Sequence, residues 1–341
     1  MPKTMEKNGG LRACLVGGAG FIGSHFTDAL MDSPATERVT LFDNFSSGRE
    51  RHFERHHYDA RLRVIRGDAA DLAALTEAVR GHDVVLHLAS NPDIARAATE
   101  PEIDFYQGTL LTNNVLEAMR RAGVRRLLYA SGSGVYGERG ETALREDSGP
   151  LLPVSTYGAS KLAGEALIAS YCAMFGLTAC AFRFANVVGA RQTHGVGFDF
   201  LRRLGEDASR LRILGDGRQS KSYVHVSDIV AAVLLAHAQV ESGFHVWNVA
   251  TDDAVTVTEI AEMAATCLGI DPLPEWEYTG GDRGWKGDVP VVRLDAGRMK
   301  SLGWRARFSA REAVRRSLYE MAQDGSDALI EEAADAGVLA R

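Results

Sequence analysis

The sequence predicts an α/β protein built on a doubly wound parallel sheet. Strand and helix patterns alternate from the start of the chain, which is the order that a parallel sheet covered by helices on both faces requires. The predicted strands are continuous apolar runs, as expected for strands buried on both faces. A glycine-rich turn, Gly17-Gly18-Ala19-Gly20-Phe21-Ile22-Gly23, follows the first strand and opens a helix.

Each element has its own signal. The first strand covers residues 11–16, and Ile22, Phe26 and Leu30 then recur on one face of a helix. Further strands are predicted at residues 38–43, 62–66, 83–88, 125–130 and 177–183, with helices at 72–80, 110–122 and 157–175. A helix at 226–239, a strand at 245–249 and a helix at 257–268 follow.

Composition excludes several classes of function. The 341 residues are 45% hydrophobic and 24% charged, which is typical of a globular protein with one large core or two smaller ones. A net charge of −7 argues against a nucleic-acid or anionic-membrane surface. The four cysteines are scattered without a CxxC, so neither a disulfide framework nor a zinc site is expected.

Targeting signals are also missing from the pattern. Residues 1–10 are polar and lack a secretory h-region, and the longest apolar stretch, around residues 229–236, is too short to span a bilayer. A cytoplasmic protein without a metal ion is therefore the expectation.

The glycine turn has the form of a dinucleotide site of the Rossmann type. Glycines permit the tight turn and let backbone N–H groups approach a pyrophosphate at the helix N-terminus. Asp43 closes the second strand, twenty residues after Gly23. A carboxylate there accepts hydrogen bonds from ribose hydroxyls and repels a 2′-phosphate, so NAD is predicted in preference to NADP.

Two residues at strand ends have alternative interpretations. Asp68 is suitably placed for the adenine, or it caps the helix that follows. His87, in the segment His87-Leu88-Ala89-Ser90 that should pass the cofactor, is better explained as a packed core histidine than as a catalyst.

Tyr157 and Lys161, in Tyr157-Gly158-Ala159-Ser160-Lys161, are i, i+4 neighbours on one helix face. A free phenol has a pKa near ~10 and is a poor base at neutral pH. We expect the ammonium, together with a cationic nicotinamide ring, to favour the phenolate and bring Tyr157 into working range.

These motifs together resemble the extended short-chain dehydrogenase/reductase family, most closely its nucleotide-sugar epimerase branch, from Leu11 to about Trp304. Further matches are Asp43-Asn44-Phe45-Ser46-Ser47-Gly48, Ser133-Gly134-Val135-Tyr136-Gly137, Arg183-Phe184-Ala185-Asn186-Val187-Val188-Gly189, Gly215-Asp216-Gly217-Arg218-Gln219 and Gly303-Trp304.

The resemblance implies Tyr157 as acid/base, Lys161 as its electrostatic partner, a tightly held NAD and a homodimer. The residues expected at the cofactor are Gly17, Gly20, Phe21, Ile22, Gly23, Asp43, Asn44, Ser47, Gly48, Asp68, Ala69, Leu88, Ala89, Ser90, Tyr157 and Lys161.

The chain departs from the family beside the tyrosine. The resemblance implies a Ser or Thr four residues before Tyr136, where this chain has Gly132. Ser131 or Ser133 is expected to supply the missing hydroxyl, with Ser133 preferred, and the alternative is that both serines only cap the strand end. Related sugar dehydratases carry Asp-Glu at Ser133-Gly134 and decarboxylases a Glu at Gly134, so their absence implies redox at C4 without elimination.

For the substrate, the resemblance implies that Asn186, Lys221 and Arg283 contact a diphosphate. Lys221 stands where the family has Arg, and it supplies charge without a bidentate fork. Arg191 is expected near the hexose, with a surface arginine as the alternative. The histidines His52, His56 and His57 are interpreted as a solvated loop without carboxylate partners, not as a metal site.

The domain boundaries follow from the same patterns. We expect residues 1–183 to form the NAD-binding domain, with residues 216–243 returning to it, and residues 184–330 to form mainly a smaller, partly interleaved substrate domain. The tail after residue 323 is acidic and Ala-rich, which indicates a peripheral helix or a frayed end.

The expected activity is NAD-dependent 4-epimerisation of a UDP-hexose, with UDP-glucose/UDP-galactose and UDP-glucuronate/UDP-galacturonate both open. Alternatives are a net nucleotide-sugar oxidoreductase that releases its reduced cofactor and a non-catalytic NAD(H)-binding protein.

Overall fold

The computed structural model describes residues 9–335, with side chains through residue 324. The strands are β1 Leu11–Val16, β2 Thr36–Asp43, β3 Leu62–Arg66, β4 Val84–His87, β5 Arg126–Gly132, β6 Ala143–Leu144, β7 Thr178–Phe184, β8 Asn186–Val188, β9 Arg210–Ile213, β10 Ser220–Lys221, β11 Tyr223–His225, β12 Phe244–Val249, β13 Val255–Thr256, β14 Glu275–Tyr278 and β15 Val291–Leu294. The α-helices are α1 Phe21–Met31, α2 Leu72–Val79, α3 Leu111–Ala122, α4 Thr156–Phe175, α5 Val196–Glu206, α6 Val226–Gln239, α7 Val257–Cys267, α8 Gly297–Ser301 and α9 Ala310–Asp335.

A seven-stranded parallel sheet in the order β12-β7-β5-β4-β1-β2-β3 confirms the predicted fold class. Alternate residues of β1 pack into different cores: Ala13 and Leu15 into one, Cys14 and Val16 into the other. Because successive side chains of a strand point to opposite faces, a strand buried on both faces must be apolar throughout.

The strand order reverses between β1 and β4, since the chain continues outward to β2 on one side and to β5 on the other. In doubly wound sheets, ligands bind at the carboxyl ends of the strands beside such a switch point. The glycine turn follows β1, and the segment that contains Ser90 follows β4, so the fold brings both to one crevice.

The second half of the chain leaves the large sheet after β7 and partly returns. Helix α6 packs against α1, and β12 pairs with β7. The remaining strands form the small sheets β13-β10-β15-β6, β11-β8 and β14-β9. Helices α5, α7 and α9 enclose a third core with Phe200, Ile260 and Val314.

The structure corrects the interpretation of the histidine loop. His52 and His56 are buried: His52 Nδ1 lies 2.8 Å from the carbonyl oxygen of Ala19, and His56 Nε2 lies 2.9 Å from Asp28 Oδ1. Burial lowers the pKa of His52 to about 4. The loop is therefore packed against α1 and has a carboxylate partner, contrary to the solvated loop that its polar composition suggests.

Two further properties concern the molecule as a whole. Among the residues that the structure describes, no group of three or more His, Cys, Asp and Glu side chains could hold a metal ion. None of the described helices is long and apolar enough to cross a membrane.

His87 is 1% exposed, its Nε2 lies 3.0 Å from Thr112 Oγ1, and burial lowers its pKa to about 3, as expected for a core histidine.

Candidate active site

A cavity of about 1090 Å³ runs along the carboxyl edge of the sheet into the second half of the chain. Its wall contains the glycine turn, the ends of β2, β4 and β5, the first turn of α4, and parts of β8, α5 and the loop at residues 284–289. Pockets for one small ligand usually hold about 300–1,000 Å³. The continuous volume suits two extended ligands placed end to end.

The glycine turn forms one end of the cavity. Gly17 has a φ of +82°, and a Cβ there would lie 2.6 Å from the backbone nitrogen of Ala89. Helix α1 starts at the N-cap Gly20 without a side-chain cap or an acidic residue in its first turn. Its first N–H groups are therefore left for a ligand, and the positive end of the helix favours an anion such as a pyrophosphate.

Asp43 is held rigidly beside this turn. Its Oδ2 accepts a hydrogen bond from the backbone N–H of Ala19 at 2.9 Å, and its Oδ1 accepts one from Phe45 at 2.7 Å. Burial raises the pKa of Asp43, while the two N–H groups lower it. Each carboxylate oxygen keeps a free lone pair, so Asp43 can still accept from ribose hydroxyls at the cavity wall.

Most residues predicted for the cofactor line this part of the cavity, and one does not. Gly48 lies behind the wall, where a Cβ would come 2.8 Å from Ala19 Cβ, so it permits close packing of the loop. The predicted residues in the lining are Gly17, Gly20, Phe21, Ile22, Gly23, Asp43, Asn44, Ser47, Asp68, Ala69, Leu88, Ala89, Ser90, Tyr157 and Lys161.

The alternative role of Asp68 as a helix cap is wrong. Asp71 is the N-cap of α2, and its side chain accepts from the N–H groups of Ala73 and Ala74. Asp68 accepts from the backbone N–H of Ala70 at 2.8 Å in the turn before α2 and from Asn44 Nδ2 at 3.3 Å, and it lines the cavity. Its role toward an adenine stays a prediction.

Tyr157 and Lys161 lie together on α4, as their spacing predicts. Lys161 Nζ is 5.4 Å from the centroid of the Tyr157 ring and donates a hydrogen bond to the carbonyl oxygen of Ala130 at 2.8 Å. The first turn of α4 is held by its N-cap Ser155, whose Oγ accepts from the N–H of Gly158. Two N–H bonds of Lys161 remain for a ligand.

Burial dominates the protonation of this pair in the protein itself. It raises the pKa of Tyr157 to about 12 and lowers the pKa of Lys161 to about 8. A hydrogen bond from the Ser90 side chain lowers the pKa of Tyr157, whereas the charge of Asp104 raises it. The ammonium alone therefore does not bring the phenol into working range at neutral pH.

Asp104 is a site residue that sequence reasoning missed. It is 1% exposed and accepts hydrogen bonds from Asn91 Nδ2 at 2.9 Å and from Thr156 Oγ1 at 2.7 Å. Its charge raises the pKa of both Tyr157 and Lys161. No local pattern marks it, because the segment at residues 105–110 that follows it is a π-helical turn.

The two candidate serines differ in their partners. Ser131 is 4% exposed and donates its hydroxyl to Glu165 Oε1 at 2.6 Å, and Glu165 forms a buried ion pair with Arg183 at 2.7 Å. Both serines line the cavity, and Ser133 does so at the start of a 3₁₀ turn. At Gly132, a Cβ would meet no other atom within 4 Å.

In the second half of the chain, two of the four predicted substrate residues line the cavity. Asn186 starts β8 and is a hydrogen-bond partner of the Tyr223 side chain. Lys221 Nζ lies 2.5 Å from Asp288 Oδ1, which takes one of its three N–H bonds.

Arg191 and Arg283 lie outside the cavity lining. Arg191 has a positive φ of 65° and its Nη2 lies 2.8 Å from Asp28 Oδ2 on α1, which turns it away from the place expected for the hexose. Arg283 Nη2 lies 2.7 Å from Glu138 Oε2, and its Nη1 donates to the carbonyl oxygen of Asp288. In both cases the guanidinium forms an ion pair with a carboxylate that is distant in sequence.

Arg203 is a second residue that sequence reasoning missed. It lines the cavity from α5, one turn after Asp199, and its Nη1 donates to the carbonyl oxygen of Arg212 at 3.1 Å. A signal existed in the sequence, because Val196, Asp199 and Arg203 recur on one helix face. Gln192, His194 and Trp285 also line this region.

Comparison with known proteins gives a consistent result. A family model described as the NAD-dependent epimerase/dehydratase family matches residues 13–250. A putative UDP-glucose 4-epimerase of Methanocaldococcus jannaschii is 30% identical over 309 residues, which cover 89% of this chain and 95% of that protein.

Solved structures share the whole architecture. A UDP-galactose 4-epimerase superposes with a TM-score of 0.82 and 35% identity, covering 92% of this chain and 100% of that one. The UDP-glucose 4-epimerase of Thermus thermophilus, solved in complex with NAD, superposes with a TM-score of 0.82 and 28% identity, covering 93% and 100%.

Proposed function

Because this chain belongs to the NAD-dependent epimerase/dehydratase family, we propose that it is an isomerase, a 4-epimerase that interconverts UDP-glucose and UDP-galactose with NAD as its cofactor. One observation carries the proposal: a single cavity joins the glycine turn and Asp43 to Tyr157 and continues to Asn186 and Lys221. The names of the similar proteins support the same reaction.

We assign the following contacts with NAD to the residues in the cofactor's half of the cavity. The N–H groups of the glycine turn and of α1 hold the pyrophosphate, and Asp43 holds the adenosine ribose. Lys161 offers its two free N–H bonds to the nicotinamide ribose. A bound NAD would supply the hydride acceptor for C4 of the hexose and the donor that returns hydride to the opposite face.

Tyr157 moves the proton of the sugar's 4-hydroxyl. Its phenolate must form while the sugar is bound. The Ser90 side chain lowers the pKa of Tyr157, and the positive charge of Lys161, 5.4 Å from the ring centroid, favours the anion. On the return step the phenol gives the proton back, so Tyr157 ends the turnover unchanged. General acid–base catalysis of this kind contributes about 10²–10⁴-fold.

Epimerisation also requires the hexose to turn over while the nucleotide stays bound. Asn186, Lys221 and Arg203 are the polar groups suited to the diphosphate, and Arg203 takes the place that the resemblance gave to Arg283. The part of the wall beside Tyr157 is formed by small residues, since Gly132 and Gly134 have no side chain and Ser133 has a short one. A firmly held diphosphate and an open wall suit rotation of the sugar.

The same wall argues against elimination. Dehydration at C5 and C6 needs an acid and a base beside the hexose, and positions 133 and 134 carry no carboxylate. A 4-epimerase reaction is therefore favoured over a dehydratase reaction.

The positively charged side chains that line the cavity favour a neutral hexose over a hexuronate. Within residues 9–324, the lysines and arginines that line the cavity are Lys161, Arg203 and Lys221. Lys161 serves Tyr157 and the ribose, and the other two serve the diphosphate. Arg191, the guanidinium that would suit a sugar carboxylate, lies outside the cavity lining and is paired with Asp28.

The direct test is incubation of the purified protein with UDP-glucose or UDP-glucuronate, without added NAD, followed by ¹H NMR of the anomeric protons. We expect UDP-galactose to form from UDP-glucose and little product from UDP-glucuronate, and the Tyr157→Phe variant to be inactive. Equal turnover of both sugars would refute the preference. No product from either, even with added NAD, would refute the function.

A further inference from the structure

The wall beside Tyr157 has a gap at Gly132. The backbone there is extended, with φ −157° and ψ 165°, which any residue adopts, and a Cβ would meet no atom within 4 Å. A side chain at this position would therefore fit without strain, yet the chain has none. The hydroxyl that the resemblance implies at this position is therefore missing, and a hydroxyl beside the Tyr157 phenol would have to come from another residue.

Ser131 is unsuited to that task. Its Oγ donates to Glu165 Oε1 at 2.6 Å, and Arg183 donates to both oxygens of the same carboxylate, at 3.0 and 2.7 Å. Because neighbouring residues of a strand point to opposite faces, the hydroxyl of Ser131 and a side chain at position 132 point in opposite directions. Ser131 anchors the strand to α4 and its buried ion pair.

Ser90 reaches the same place from the neighbouring strand. β4 and β5 are paired through His87 and Tyr129, and Ser90 and Gly132 each lie three residues beyond that pair. Both residues line the cavity, and the Ser90 side chain lies close enough to the Tyr157 phenol to lower its pKa. Ser90 thus lies on the cavity wall beside Tyr157, just beyond the strand that neighbours the one carrying Gly132.

We propose that Ser90 is a catalytic residue whose hydroxyl replaces the one missing at Gly132 and relays the proton between the substrate's 4-hydroxyl and Tyr157. The inference rests on the proposed function. In the forward direction the 4-hydroxyl passes its proton to Ser90 Oγ while the proton of Ser90 passes to the phenolate oxygen. In the return direction both transfers reverse, so neither residue is altered.

The test compares single and double variants in the full-length enzyme. Ser90→Ala should lower kcat at least tenfold, with the Kd for UDP-glucose and the melting temperature close to those of the wild type. Adding Gly132→Ser to Ser90→Ala should restore most of the loss, since a serine fits there and supplies the hydroxyl from the other strand. Ser170→Ala, on the exposed face of α4, is the matched control for serine removal.

The outcomes separate the two proposals. If the wild type turns over UDP-glucose and the kcat of Ser90→Ala stays within twofold of the wild-type value, the role of Ser90 is overturned and the proposed function is not. A larger loss in Ser133→Ala than in Ser90→Ala also overturns it, and so does a loss in Ser90→Ala that comes with weaker UDP-glucose binding and no rescue. A wild type without turnover overturns the proposed function instead.

Discussion

Thr156, the residue before Tyr157, donates its hydroxyl to the buried carboxylate of Asp104 at 2.7 Å. This contact ties the start of α4 to the segment before α3 and puts a negative charge near the acid/base pair. The charge opposes formation of the Tyr157 phenolate and supports the ammonium of Lys161, so it raises the pKa of both groups. We therefore expect the pH range of the enzyme to depend on a residue outside the recognisable motifs.

Asp104→Asn should shift the whole pH profile of kcat/KM to lower pH. Removing the negative charge makes the phenolate of Tyr157 easier to form and the ammonium of Lys161 easier to deprotonate, so both limbs move in the same direction. The measurement is kcat/KM for UDP-glucose across pH, with Glu102→Gln, an exposed neighbour, as the control. An acid limb that stays in place or moves upward would contradict the assigned effect.

Arg203→Ala should raise KM for UDP-glucose by roughly 10–100-fold, as expected when a hydrogen bond between charged groups worth about 1.5–3 kcal/mol is lost. The adjacent Arg202, which pairs with Glu206 on the outer side of α5, is the matched control, and Arg202→Ala should leave KM within about twofold. Steady-state kinetics at two salt concentrations would check both variants. Similar KM values for the two would remove Arg203 from the diphosphate site.

Substitution by alanine should destabilise the protein strongly at Gly17 and hardly at all at Gly132. Gly17→Ala places a Cβ at φ +82° and 2.6 Å from a backbone nitrogen, so backbone strain and overpacking should lower the free energy of unfolding by about 2–5 kcal/mol and weaken NAD binding. Gly132→Ala meets no atom and should change that free energy by less than about 1 kcal/mol. Urea denaturation measures both, and equal effects would mean that the turn relaxes more than its packing indicates.

Arg183→Met should destabilise the protein by about 3–5 kcal/mol, because it leaves the Glu165 carboxylate buried without its partner. Arg183 and Glu165 are 3% and 4% exposed. Arg121→Met breaks an exposed ion pair with Glu117 and should cost less than about 1 kcal/mol. The comparison is made by urea denaturation at pH 7, and a loss below about 1 kcal/mol for Arg183→Met would show that Glu165 finds another partner or protonates.

Much of the site could be predicted from the sequence because its parts are local. The glycine turn, the carboxylate at the end of β2 and the i, i+4 pair Tyr157 and Lys161 are each fixed by the geometry of one strand, turn or helix. The family match and the parallel sheet confirm the resemblance and the fold class that these motifs indicated.

Residues whose surroundings come from distant parts of the chain could not be predicted in this way. Arg191 forms an ion pair with Asp28, which lies 163 positions away in the sequence, and Arg283 forms one with Glu138, which lies 145 positions away. Nothing in the local pattern around Arg191 or Arg283 indicates these partners, because the partners belong to other elements of the fold.

The sequence by itself therefore determined the sheet, the cofactor turn and the tyrosine–lysine pair, since backbone geometry and short-range spacing are properties of single elements. Tertiary packing alone decided which guanidinium faces the cavity, that His52 is buried, and that Ser90 lies near the Tyr157 phenol. The physical reason is that a charge or hydroxyl bonds to whichever partner the fold brings within about 3 Å, and sequence separation carries no information about that distance.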